Sequence, residues 1–224
     1  MAVGYDTGAG VNGQNVSTIN WNHTCTGANL VLIVGVVTNQ LTNFVTSVTY
    51  NNIPLTIVGS PFTDSANTSN TLCQYALINP PNGTFSVVVN VSQSVTISGI
   101  SQSFTGCNGI TNNQVSIAGS GTITLVTTTA NGNYTCGISV GIVVPFGGGG
   151  DTNRTSANST SFNVTGGSTA SRGPSQSISY NYPASVGAML GLNVVAGVLP
   201  ITILPFNRTP FIFGQAIAAG IIAR

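Results

Sequence analysis

Residues 29–37 read NLVLIVGVV, a continuous apolar run rich in β-branched side chains, which suits a strand buried on both faces. Upstream, NVSTINWNH (15–23) alternates Val16, Thr18 and Asn20 against Ser17, Ile19 and Trp21, the period of a half-buried strand. Downstream, VTSVTY (45–50) and IPLTIVG (53–59) flank Asn51 and Asn52, two residues that tolerate positive φ and so close a tight hairpin. Further short runs follow: TLCQYALI (71–78), the turn from Asn79 to Gly83, TFSVVVNV (84–91), VTISGISQSF (95–104), GTITLVTT (121–128) and YTCGISVGIVV (134–144). None of them carries a sustained 3.6-residue period. Short runs separated by turn residues predict an all-β fold, a jelly-roll-like antiparallel β-sandwich over residues 1–197.

Two segments differ from this pattern. Residues 146–177 are dominated by glycine and small hydroxyl side chains, and read as a long surface loop with one short strand around Phe162 to Thr165. After the strand SISYNY (177–182), VGAMLGLNVVAGVLPITILPF (186–206) is long enough to cross a bilayer. Pro200, Pro205 and several glycines oppose a membrane helix, and the β-branched residues favour strands. Residues 198–224 are therefore expected to be an apolar β extension too hydrophobic to lie in water alone, with Ile201, Ile203, Phe206, Phe211 and Phe213 as candidate intersubunit contacts.

Charged residues make up 3% of the 224-residue chain, against about 25% in ordinary soluble domains. There is no Lys and no Glu, the net charge is +1, and 42% of residues are hydrophobic, enough to fold. Such a chain has no field to attract nucleic acid, and with one His and no Glu it offers no metal site and no cofactor cradle. Gly147 to Gly150 is followed by no Lys and no helix, so it reads as a flexible loop and not a phosphate cradle. His23 is the only histidine available to a Ser-His-Asp site, and a structural imidazole at a strand end is the expectation for it. Asp6, Asp64 and Asp151 are expected in separate polar loops, which leaves no carboxylate pair for glycoside chemistry. The chain is expected not to be an enzyme.

Other residues leave alternatives open. Cys25, Cys73, Cys107 and Cys136 are widely spaced, and are either two disulfides or buried thiols. Trp21, Tyr50, Tyr75, Tyr134, Tyr180 and Tyr182 either form a sugar-stacking platform or fill the core. Ten sequons, at Asn15, Asn22, Asn67, Asn82, Asn90, Asn133, Asn153, Asn158, Asn163 and Asn207, are candidates for N-glycosylation, where glycans would hydrate a surface that charges do not. The start MAVGYDTGAG shows neither a basic nor an apolar leader region, so the chain is expected either to leave its cell by lysis inside a virion or to have had a leader removed, and Met1 favours the first.

The opening MAVGYDTGAG, then STINWNHTCTGANLVLIVGVV (17–37), VTSVTYNNIPLTIVGS (45–60), LCQYALINPPNGTFSVVVNVS (72–92) and ISQSFTGC (100–107), in that order, resemble a family of jelly-roll-like proteins of tailed phages and microbial metagenomes. The resemblance implies a structural or attachment role at the virion surface, with no catalytic residues to carry over. The apolar extension, the missing Lys and Glu and the sequon density depart from that family, and resemble proteins of archaeal viruses and extracellular filaments. The expected partners are further copies of the chain, other virion proteins or surface glycans. The expected location is a virion surface or the cell exterior.

Overall fold

The computed structural model describes residues 2–65, 69–111, 115–130, 132–141, 146–148, 152–158, 161–170 and 175–197. A first sheet contains β1 (Gly4–Cys25), β2 (Val31–Thr38), β3 (Val45–Tyr50), β4 (Ile53–Pro54), β5 (Thr56–Ile57), β6 (Phe62–Asp64), β7 (Asn70–Ile78) and β8 (Gly83–Thr105). A second contains β9 (Cys107–Ile110), β10 (Val115–Thr128), β11 (Tyr134–Gly141), β12 (Phe146–Gly148), β13 (Thr152–Asn158), β14 (Asn163–Ala170) and β15 (Ser175–Ala196). Strands pair antiparallel throughout the described residues, and the chain is the expected all-β antiparallel sandwich.

The long strand β8 organises the first sheet. One edge pairs with β1 along its length, and the other takes β2 against residues 97–104 and then β3 against residues 87–91. Three register shifts in β1 bend the pair, so that one half of the sheet folds over the other. Asn51 (φ 50°) and Asn52 (φ 63°) close the β3–β4 hairpin as their sequence implied. The next residues cross the gap between the halves: Leu55 N–H donates to Val48 O (2.9 Å) and Val58 N–H to Gln74 O (2.8 Å). Sheet one is thus nearly a closed barrel around Ile19, Trp21, Leu32, Val34, Tyr50 and Tyr75.

Sheet two repeats this wiring with other side chains. The long strand β15 pairs on one edge with β9 and β10, and on the other with β11 and then β12, as β8 does with β1, β2 and β3. β11 pairs with β14, and β14 with β13, as β2 pairs with β7 and β7 with β5 and β6. A register shift between Ser120 and Gly121 again bends the long pair. Ile123, Leu125 and Ile178 are thereby brought onto Met189. The joints match as well: Gly106 ends the first unit, Gly197 follows the second, and Gly197 N–H donates to Gly106 O (2.8 Å).

The units pack face to face. Val31, Ile33, Ile100 and Phe104 meet Ile138, Leu190, Leu192 and Val194, and Gly35 is required at the closest approach, where a Cβ would lie 2.3 Å from Ile138 Cγ2. Even-numbered residues of β2 meanwhile line the barrel, so all eight are buried. The two-faced burial anticipated for 29–37 is realised from Val31 to Val37, while Asn29 is exposed ahead of the strand.

Three expectations are corrected. Residues 146–177 are not a long loop: β12, β13, β14 and the start of β15 lie there, with Ala157, Phe162 and Val164 in the core between the units. Glycine and hydroxyl residues are needed because the layers approach closely, a Cβ on Gly166 reaching within 2.6 Å of Ile100 Cδ1. TFSVVVNV and VTISGISQSF are one strand, since Ser92–Gln93–Ser94 is the corner of β8 and not a turn. Asp6 and Asp64 lie on strands β1 and β6, while Asp151 is outside the described residues.

Candidate functional site

Two of the few acid–base groups, Asp6 and His23, lie on β1 along its seam with β8. The β1–β8 register pairs Trp21 with Val87, His23 with Phe85 and Ser101 with Ala9, and the fold-over of the bent pair then brings His23, Trp21 and Ser101 together inside the barrel. Ser101 Oγ accepts from Trp21 Nε1–H (2.9 Å), lies 2.8 Å from His23 Nδ1, and reaches Ala9 O at 3.3 Å. His23 Nε2 has no hydrogen-bond partner among the described residues, and the ring stands edge-on to Tyr50 at 6.2 Å. Burial pushes His23 down to about 4 against a weaker opposing pull from the Asp6 carboxylate, so the imidazole is neutral at pH 7. Asp6 itself turns to Ser103 Oγ (2.7 Å), Thr26 N (2.9 Å) and Thr26 Oγ1 (2.7 Å). Ser, His and Asp therefore share one neighbourhood but not one relay, and Ser101 (0% exposed) and His23 (1%) are sealed from solvent. The equivalent place in the second unit holds Asn193 Oδ1 accepting from Thr127 Oγ1 (2.9 Å) and Thr135 Oγ1 (2.8 Å).

Cys25, Cys73, Cys107 and Cys136 are free and buried, so the disulfide alternative gives way to the buried-thiol one. Burial in apolar clusters raises all four, Cys73 and Cys107 to about 12, which keeps them protonated and unreactive. Trp21, Tyr50 and Tyr75 are core residues and no platform. Tyr134 is half-buried, and the side chains of Tyr180 and Tyr182 are outside the described residues.

Among the sequons, Asn15, Asn22, Asn82 and Asn158 are exposed. Asn90 and Asn163 are half-buried, Asn90 being held between Thr18 and Ser47. Asn133 is buried, with its amide donating to Thr129 Oγ1 and accepting from Ala196 N, so no glycan fits there without unfolding that turn. Asn67 and Asn207, and the side chain of Asn153, lie outside the described residues, as do Ile201, Ile203, Phe206, Phe211 and Phe213. The first half of the stretch 186–206 is the end of β15, and among the described residues no helix is long and apolar enough to cross a membrane.

What the molecule presents to its surroundings is two long sheet edges. β13 lies against the N-terminal half of β1, where Gly8 and Gly10 admit the Arg154 and Ser156 carbonyls. From Val16 to Cys25, β1 pairs only with β8 among the described residues, and β10 pairs only with β15. Such edges are ordinarily guarded by Lys, Pro or short length. Neither stretch contains Lys, Arg, Asp, Glu or Pro. Next to β5 a groove of about 380 Å³, lined by Ile57, Val58, Ala76, Ile78 and Ile110, adds apolar surface.

No family model, curated protein or solved structure matches the chain. The edges, which sequence reading passed over, remain the most telling surface feature. Their only signal in the sequence was the absence of charge along VSTINWNHTC and VSIAGSGTITLVTT.

Proposed function

We propose that this chain is a non-enzymatic structural subunit of an extracellular assembly, a virion surface or capsid-associated protein that joins further copies of itself through residues 198–224. The observation that carries the proposal is the pair of unguarded edges on a domain followed by a 198–224 segment rich in Ile and Phe. Main-chain groups along a free edge give affinity to an added strand, and alternate side chains fix its register. The sealed seam around His23 supports a structural role, because an imidazole held near a pKa of 4 is a poor general base at neutral pH.

The test is the full chain carrying Ile201→Asp, Ile203→Asp and Phe206→Asp. It is expected to fold with the wild-type circular dichroism spectrum and to sediment as a monomer where the wild type sediments as an assembly. Normal assembly of this variant rejects the role of the extension.

A second reading, a glycosylated extracellular filament subunit using the same strand exchange, is favoured by the exposure of Asn15, Asn22, Asn82 and Asn158. Intact mass of native material separates the two, since hexose-sized additions point to the filament and a bare mass to the virion. The adhesin reading is weakened by the burial of Trp21, Tyr50 and Tyr75.

A further inference from the structure

We infer that the acceptor for residues 198–224 is the outer edge of β10 on a second copy of this chain, where the extension adds antiparallel as a new edge strand. The inference rests on the assembly reading above, and names its receiving surface.

Two edges compete for the role, and their outer faces differ. The bend of β1 carries register shifts between Gly13 and Val16 and between Val16 and Thr18, with Asn15 at φ 52°, and the bend of β10 a shift between Ser120 and Gly121, with Gly121 at φ 70°. Past its bend β1 pairs with β8 without interruption from Thr18 to Cys25, and the side chains it turns away from the core, Thr18, Asn20, Asn22 and Thr24, are all polar. β10 pairs with β15 without interruption from Gly121 to Thr128. Along that stretch Thr122, Thr124 and Val126 are exposed while Ile123, Leu125 and Thr127 are buried, the alternation of a strand with one wet face. Val126, 56% exposed, is the most exposed of the large apolar side chains described. An apolar added strand would cover it.

Direction selects a second copy over the chain's own extension. β10 runs antiparallel to β15, and the chain leaves the end of β15 at Gly197, whose N–H is tied to Gly106 O. An extension that reversed there and came down the outer edge of β10 in the same copy would run parallel to β10. Parallel pairs are slightly weaker, and every described pairing in this protein is antiparallel. A strand from a neighbour has no such constraint, and residues 198–224 outnumber the fourteen of β10. Ile201 and Ile203, separated by Thr202, would share one face of an extended strand.

The experiment uses three full-length variants. Thr124→Lys with Val126→Lys charges the β10 edge, Asn20→Lys with Asn22→Lys charges exposed positions on β1, and Ile201→Asp with Ile203→Asp disables the extension. The β10 and extension variants are expected to be monomeric, the β1 variant to assemble as the wild type does, and an equal mixture of the first and third to stop at dimers, because each dimer has one intact extension seated on one intact edge. Hydrogen exchange on the wild type gives a readout independent of any variant's folding: on assembly, amides of 121–128 slow markedly and those of 16–25 do not. Assembly of the β10 variant at the wild-type level, or protection of 16–25 with none at 121–128, overturns the assignment of β10 while leaving the assembly reading intact. Assembly by the extension variant overturns both.

Discussion

The two units of this molecule share a wiring diagram and differ in filling. In residues 4–105 the folded-over sheet closes on Trp21, Tyr50, Leu55 and Tyr75, with His23 and Ser101 sealed beneath. In residues 107–196 the same fold-over encloses Ile123, Leu125, Ile178 and Met189, with Asn193 and two threonines in the polar place. Trp21 rests on Gly99, where a Cβ would lie 2.5 Å from the indole, and Leu125 rests on Gly191, where the gap would be 3.0 Å. One pair of long, bent strands therefore fixes the topology, and different side chains fill its corner in each unit. The first unit, closed on the larger side chain, is the anchor, and the second carries the exposed Val126 on its long edge.

This contrast yields graded expectations. The largest effect is Trp21→Ala, which removes the central side chain of the anchor unit and its bond to Ser101. It should cost about 3–5 kcal/mol in urea unfolding. A loss below about 1 kcal/mol would show that the barrel core is not what holds the first unit.

Acid is the next lever. The folded-state pKa of His23 is depressed to about 4 from 6.5, so the unfolded chain binds the extra proton first as pH falls. Its contribution is fully present above pH 6.5 and is lost between pH 6.5 and 4, amounting to about 3 kcal/mol at pH 4. The variant His23→Gln should flatten that part of the stability profile. Thr127 in the matching place titrates nowhere in this range. An unchanged slope in the variant would assign the acid sensitivity elsewhere.

Leu125→Ala should cost about 2–3 kcal/mol, less than Trp21→Ala, because it removes a smaller buried side chain and leaves a smaller cavity. Equality with Trp21→Ala would erase the distinction between the units. The smallest effect is expected at the outer face. Thr24→Ala loses an exposed hydroxyl contact with Thr84 (2.8 Å), and should move the unfolding midpoint by no more than about 0.5 kcal/mol equivalent.

Much of the architecture could be read from the sequence where a residue type had one physical meaning. NLVLIVGVV reads as a doubly buried strand because no polar side chain interrupts it, and Asn51–Asn52 reads as a hairpin because few other residues accept that backbone. Reading failed where one composition served two purposes. Ser92–Gln93–Ser94 looks like a turn and is a strand corner, and the glycines and hydroxyls of 146–177 look like a loop and are strands pressed against a second sheet. The doubled wiring was invisible because Trp21 and Leu125, or His23 and Thr127, hold equivalent places with no chemistry in common. The open edges were equally hidden, since an edge is a property of pairing.

Electron cryomicroscopy of the native assembly tests the central claim most directly. The expected map shows, beside β10 of each copy, an additional antiparallel strand that traces back to Gly197 of a neighbour. Copies that meet without a shared strand, or an extension folded onto its own domain, would contradict it.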